Sequence, residues 1–183
     1  MPSKRKHILF IQGGGDDGYE VDKDLVASLQ TALKKDYPIN YREIKCDVSV
    51  PDFGWLKQIS KHIIEIEGTI ILVGHSFGAS MILKLLSEHS FDKIEAVFLI
   101  ATPFWNGDED WQTGLLLKDN FADKLPEDVP FFLYHCEDDE EIRFSHLILY
   151  QQKLARATFR KIKTGGHQLN NDLTLVASDI KAL

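Results

Sequence analysis

The sequence predicts an α/β fold, with a mostly parallel sheet of about six strands carrying helices on both faces. Three observations predict it. Short runs of Ile, Val, Leu and Phe alternate with segments of helical spacing along the whole chain. The third and fourth runs are apolar almost without a break, as strands buried on both faces are. No internal repeat, low-complexity tract or linker interrupts the 183 residues, so one domain over residues 1–183 is expected.

The elements follow in order. His7–Gln12 is the first strand, and a glycine loop, Gly13–Gly18, leads from it to a helix starting near Val21. Leu25, Leu29, Ala32 and Leu33 form that helix's apolar stripe. Ile39–Lys45 is the second strand, followed by a helix marked by Leu56, Ile59, Ile63 and Ile66. Thr69–Gly74 is the third, leading to a stripe of Ala79, Ile82, Leu83 and Leu86. Ala96–Ala101 and Phe131–His135 are the fourth and fifth, and Phe144, Leu147, Ile148 and Leu154 line the next helix. Thr158–Ile162 is the sixth strand, and Leu173, Val176, Ala177 and Ile180 mark the last helix.

Composition removes several function classes. A net charge of −7 argues against nucleic acid, because phosphate binding needs clustered Lys and Arg, and Ser3-Lys4-Arg5-Lys6 is a short terminal run. No stretch approaches the roughly 20 apolar residues of a membrane span, and Ile8–Ile11 is too short for a signal-peptide core. Cys46 and Cys136 lie far apart and read as free thiols of a reducing compartment, so a cytoplasmic location is expected. No HExxH or paired Cys/His motif calls for a metal, and no cofactor is expected.

In a parallel sheet covered by helices, functional groups sit on loops at the carboxyl ends of the strands. One such loop is Gly74-His75-Ser76-Phe77-Gly78, between the third strand and its helix. A serine on a sharp strand-to-helix turn is held in strained geometry, and small residues two before and two after it avoid clashes. The turn lifts the hydroxyl above the sheet and brings helix N–H groups to where negative charge develops. The bland reading is a βα turn whose serine merely caps the helix. Strand, elbow and helix occur in the order the catalytic reading requires, which favours Ser76 as nucleophile.

A serine hydroxyl needs a neighbouring base. Of seven histidines, His167 alone follows the last strand on a flexible loop, Gly165-Gly166-His167. His7 starts a strand, His62, His89 and His146 belong to helical segments, His135 ends a strand beside what looks like the acid loop, and His75 adjoins the serine on the far side of the turn. The acid should fall between serine and base in chain order, at a strand end. Glu137-Asp138-Asp139-Glu140-Glu141 supplies five candidates, and composition does not choose among them.

The order strand, Gly-rich loop, strand, GHSFG elbow, acid loop, GGH resembles a compact α/β-hydrolase across almost the whole chain. Members of that superfamily carry Gly-x-x-Asp-x-x-Val after a late core strand. Cys136, Asp139 and Ile142 fit the pattern, with cysteine in the glycine's place. The resemblance therefore implies Asp139 as the acid rather than Asp138, with Asp108 after the fourth strand as the other place relatives carry it. It also implies that Gln12-Gly13-Gly14 stands where the family has His-Gly-x. The backbone N–H groups of Gly14 and Phe77 are then the oxyanion donors. The implied chemistry is hydrolysis of a small-molecule ester or thioester through an acyl-enzyme on Ser76.

Two alternatives are weighed against it. Gly13-Gly14-Gly15-Asp16-Asp17-Gly18 fits G-x-G-x-x-G, the fingerprint of a nucleotide-binding Rossmann protein. Against this, Asp16 and Asp17 would face a pyrophosphate, the helix starts late, and Asp47 lies beyond the expected acidic position. The second alternative is a non-catalytic binding protein on the same fold. Between Thr102 and Asp128 there is room for one or two short helices but not for a cap domain, so the site is expected to be open. Tyr19, Phe104, Trp105 and Trp111 lie on nearby loops as candidate substrate contacts. Asp16, Asp17 and Glu20, then Asp108 to Asp110, then Glu137 to Glu141 give the site an acidic rim, which favours neutral or cationic substrates.

Overall fold

The run Thr69-Ile-Ile-Leu-Val-Gly-His75 is apolar on both sides, and it forms a strand at the centre of a sheet. In the computed structural model, which describes residues 6–105 and 114–183, six strands pair in parallel throughout. They are β1 (Lys6–Ile11), β2 (Ile39–Tyr41), β3 (Thr69–His75), β4 (Ile94–Ile100), β5 (Phe131–Cys136) and β6 (Thr158–Ile162), in the spatial order β2-β1-β3-β4-β5-β6.

Successive side chains of a strand point to opposite faces, so a continuous apolar run serves two cores. Leu9, Ile11, Ile70, Leu72, Val97 and Leu99 face one layer. There they meet Trp55, Ile59 and Ile63 of α3 (Trp55–Glu65) and Ile82, Leu83 and Leu86 of α4 (Ser76–Glu88). Ile8, Phe10, Ile71, Val73, Phe98 and Ile100 face the other layer. That layer holds Leu25, Leu29 and Leu33 of α2 (Lys23–Leu33) and Val176, Ala177 and Ile180 of α7 (Thr174–Lys181). Two further helices, α5 (Phe121–Lys124) and α6 (Ser145–Lys153), add Phe121, Leu147 and Tyr150 to the first layer. Each fully buried Leu or Ile stabilises the fold by roughly 1.5–3 kcal/mol, so both stripes are needed.

Two expectations change. The second strand ends at Tyr41 rather than Lys45, because it is an edge strand and the outgoing chain turns to the Gln12 side chain, whose Oε1 accepts the Ile44 N–H at 2.9 Å. The first helical turn, α1 (Gly18–Val21), begins three residues before Val21. It is built by the Val21 N–H donating to the Asp17 carbonyl and the Asp22 N–H to that of Gly18. Glycine is a poor helix former, which hid this turn from the sequence pattern.

The chain reverses direction across the sheet between β1 and β3, which lie side by side with Ile11 opposite Gly74. Their carboxyl ends open a crevice at that switch point, and the glycine loop and the serine elbow flank it. Among the described residues, no helix is long and apolar enough to cross a membrane.

Candidate active site

Ser76 ends the β3 turn with a φ of +50°, a left-handed conformation for a residue with a side chain. Such strain costs on the order of 1–3 kcal/mol and persists only where its surroundings impose it. They do so here through two glycines. A Cβ on Gly78 would lie 2.2 Å from the Gln12 carbonyl oxygen, and one on Gly74 would lie 2.8 Å from the Cα of Ala79. Only bare backbone lets α4 start this close to β1 and fold back this tightly on β3. Phe77 is the second residue of α4, so its N–H is one of those a helix start leaves without an internal partner. Gly14 lies against it: a Cβ there would be 3.0 Å from the Phe77 Cβ.

His167 and Asp139 meet through the β5 and β6 loops. The His167 Nδ1 is 3.1 Å from Oδ1 and 3.0 Å from Oδ2 of Asp139, and both residues are buried. Asp139 Oδ1 also accepts the N–H groups of Glu141 (2.9 Å) and Ile142 (2.8 Å). Burial pushes the Asp139 carboxyl up. Hydrogen bonds from His135, from His167 and from the Ile142 backbone outweigh it and hold the group well below the usual carboxylate range. Burial likewise opposes charge on His167, but the Asp139 hydrogen bond and charge, then Glu141 and Asp22, raise its pKa above the ordinary value.

The other acids of this loop take separate tasks. Asp138 accepts the N–H groups of Gly165 (3.0 Å) and Gly166 (2.9 Å). Glu140 accepts the N–H of His167 at 3.2 Å, and Glu141 places Oε2 3.5 Å from His167 Nε2. Asp138 thus holds the loop while Asp139 holds the ring. Asp108 lies outside the described residues. Beyond His167, Leu169, Asn170 and Asn171 all have φ near +50°, three successive left-handed residues. Leu169 is buried, and the Asn170 N–H donates to the Gly165 carbonyl at 2.8 Å, which locks the turn.

Ser76, His167, Glu141 and the Gly13–Gly18 loop line one cavity of about 270 Å³, together with Val21, Asp22, His75 and Gln168. Asp16 and Asp17 face into it, and the Gly13 N–H is already committed to Asp22. A pyrophosphate would meet carboxylates there, so the loop does not form a nucleotide cradle. Both cysteines are free, Cys46 exposed and Cys136 buried. Burial, with Asp138, Asp139 and Glu140 nearby, pushes the Cys136 thiol up to about 11, so it stays protonated and inert.

The expected aromatic contacts fall elsewhere. Tyr19 is not in the cavity lining: it stacks on Tyr41 with ring centroids 4.6 Å apart, and its carbonyl accepts the Tyr41 hydroxyl. Phe104 packs edge-on against Phe121 and Tyr150, and Trp105 lies against Phe77 and donates to the Ser80 hydroxyl at 3.1 Å. Both pack into the first core layer rather than lining the cavity. Trp111 lies outside the described residues. Sequence reasoning missed Trp55 and Phe53, whose rings surround Phe77. It also missed Asp22, Gln168 and the pairing of His75. None of these carries a local motif.

A six-stranded parallel sheet with the elbow after β3 and acid and histidine loops after β5 and β6 defines the α/β-hydrolase fold. The serine hydrolase family matches residues 18–173, and the chain belongs to that family. Solved structures agree on the architecture. The chain is similar to the esterase domain of a Rhodothermus marinus protein (TM-score 0.69, 16% identity), covering 99% of this chain and 87% of that one. It is similar to a lipase-esterase related protein from Clostridium acetobutylicum (TM-score 0.68, 15% identity, 98% and 94% covered). A meta-cleavage product hydrolase from Pseudomonas fluorescens gives a TM-score of 0.73 at 14% identity, with 98% and 92% covered. No curated protein matches the sequence closely enough to count as a relative.

Proposed function

We propose that this serine hydrolase is a cytoplasmic carboxylic-ester hydrolase, acting on small-molecule esters or thioesters through an acyl-enzyme on Ser76. The observation that carries the reading is the Asp139–His167 hydrogen-bonded pair at a cavity that also takes in the strained Ser76. Asp139 occupies Nδ1 of His167 and so leaves Nε2 to receive the serine proton. Ser76 Oγ attacks the carbonyl carbon as His167 takes its proton. The N–H groups of Phe77 and Gly14 stabilise the oxyanion. His167 then protonates the departing alkoxide or thiolate, and water, deprotonated by the same ring, releases the acid. Esterase names among proteins of similar fold support an ester as the substrate class.

A fluorophosphonate probe tests this directly. Mass spectrometry should find the adduct on the peptide containing Ser76, and Ser76→Ala should abolish both labelling and turnover of a short-chain aryl ester. A folded wild-type protein that neither labels nor turns over would be a binding protein on a hydrolase fold.

A further inference from the structure

The geometry points to a buried pair, Asp22 and His75, as the brace that sets the oxyanion loop, the serine elbow and the His167 loop against one another. This deepens the proposed function and rests on its assignment of Ser76 and His167.

Asp22 and His75 are each 1% exposed. The Asp22 carboxylate lies 2.9 Å (Oδ1) and 3.0 Å (Oδ2) from His75 Nδ1. Its Oδ2 also accepts the Gly13 N–H at 2.7 Å, and its Oδ1 accepts from Gln168 Nε2 at 3.4 Å. The other ring nitrogen of His75 donates to the His167 carbonyl oxygen at 3.0 Å. One carboxylate and one imidazole therefore touch all three segments that the reaction must align. Gly13 precedes the proposed oxyanion donor Gly14, His75 precedes Ser76, and the carbonyl belongs to the proposed base itself.

The chemistry of the pair fits a brace and not a second reaction centre. Both His75 nitrogens are engaged, Nδ1 by the Asp22 carboxyl group and Nε2 by the His167 carbonyl oxygen. A ring with no free nitrogen cannot act as a base. Buried polar pairs add little net stability, because desolvation offsets their attraction. What such a pair supplies is a fixed spacing among three loops, and errors of about 1 Å in that spacing cost roughly 10² in rate.

Asp22→Asn is the primary variant. It puts an N–H₂ donor in place of one acceptor oxygen of a carboxyl group that accepts from the Gly13 N–H and from Gln168 Nε2. Rates are normalised to active sites titrated with the fluorophosphonate, and folding is followed by thermal melting. The brace requires kcat per titrated site to fall by about 10² with KM within twofold, because alignment acts on the transition state. It also requires Asp22→Asn with His75→Gln to be little worse than either alone. A folded Asp22→Asn with wild-type kcat per site overturns the proposal, as does a purely additive double variant. Should Asp22→Asn not fold, His75→Gln carries the same measurement. Failure of both to fold would make the pair structural and would equally overturn it. Absence of labelling in the wild type would instead strike the proposed function.

Discussion

The Nδ1 atom of His167 sits 3.0 Å from Oδ2 of Asp139, and the same oxygen lies 3.3 Å from Nε2 of His135. His135 is fully buried and donates to the Ile142 carbonyl at 2.7 Å, so it fixes the turn that presents the carboxylate. Asp139 is thus held by its own loop before it meets the ring, and the ring's tautomer is set by a group that cannot swing away.

Asp139→Asn should reduce kcat on a short-chain aryl ester by roughly 10⁴, because an amide can hold His167 in the wrong tautomer. Asp138→Asn should cost far less, since that carboxylate accepts from the N–H groups of Gly165 and Gly166 while Asp139 takes the His167 ring. Steady-state kinetics of the two purified variants decide the matter. A larger loss at Asp138 would move the acid by one residue.

Ser76 should show a split between activity and stability. Ser76→Ala should lower kcat by about 10⁶ if the three residues act as a unit. Ser76→Gly should be equally inactive yet about 1 kcal/mol more stable than Ser76→Ala, because glycine adopts a φ of +50° without strain. Denaturant titration of both measures the gap, and equal stability would show that the elbow stores no strain.

How much was legible in advance depended on how local each signal was. The elbow is five consecutive residues between a strand and a helix, and its strand boundaries lie within one residue of expectation. His167 stood out because no other histidine follows the last strand on a loop. The choice among five adjacent acids was not a matter of composition. It depends on the turn in which the Asp139 N–H meets the Cys136 carbonyl and the following N–H groups meet its side chain. Asp22 was illegible, since its partners Gly13, His75 and Gln168 are scattered along the chain and only the folded sheet brings them together. Tyr19 was misplaced because nearness in sequence to the glycine loop says nothing about which way a ring turns. Tyr41 on the edge strand offered it a stacking partner.

The pH dependence follows from the raised pKa of His167, a rise to which Asp139 contributes most and Glu141 next. The base works only when neutral, so kcat/KM should climb with pH and reach half its plateau above about 6.5. Linkage gives the matching sign for stability. The ring's contribution is fully present below about 6.5 and is lost as pH rises through the raised value. Glu141→Gln, which removes a charge 3.5 Å from Nε2, should shift the kinetic midpoint downward without disturbing the Asp139 contact. An unmoved midpoint would mean that water screens this exposed carboxylate completely.

Charge at the mouth of the site should govern which esters enter. Asp16, Asp17 and Glu141 line the cavity with Ser76, and no Lys or Arg does so among the described residues. Of the other acids expected on the rim, Glu20 pairs with Lys23 at 2.6 Å, and Asp108 to Asp110 lie outside the described residues. Three carboxylates around one opening still create a negative field, which repels anions over roughly 8 Å at physiological salt. An ester with a carboxylate in its acyl chain should therefore show a lower kcat/KM than its neutral counterpart of equal length, and a cationic one a higher value. Raising the salt should narrow both gaps, and Asp16→Asn with Asp17→Asn should narrow them at low salt. Equal rates, or gaps indifferent to salt, would reduce these acids to solvated loop residues with no part in selection.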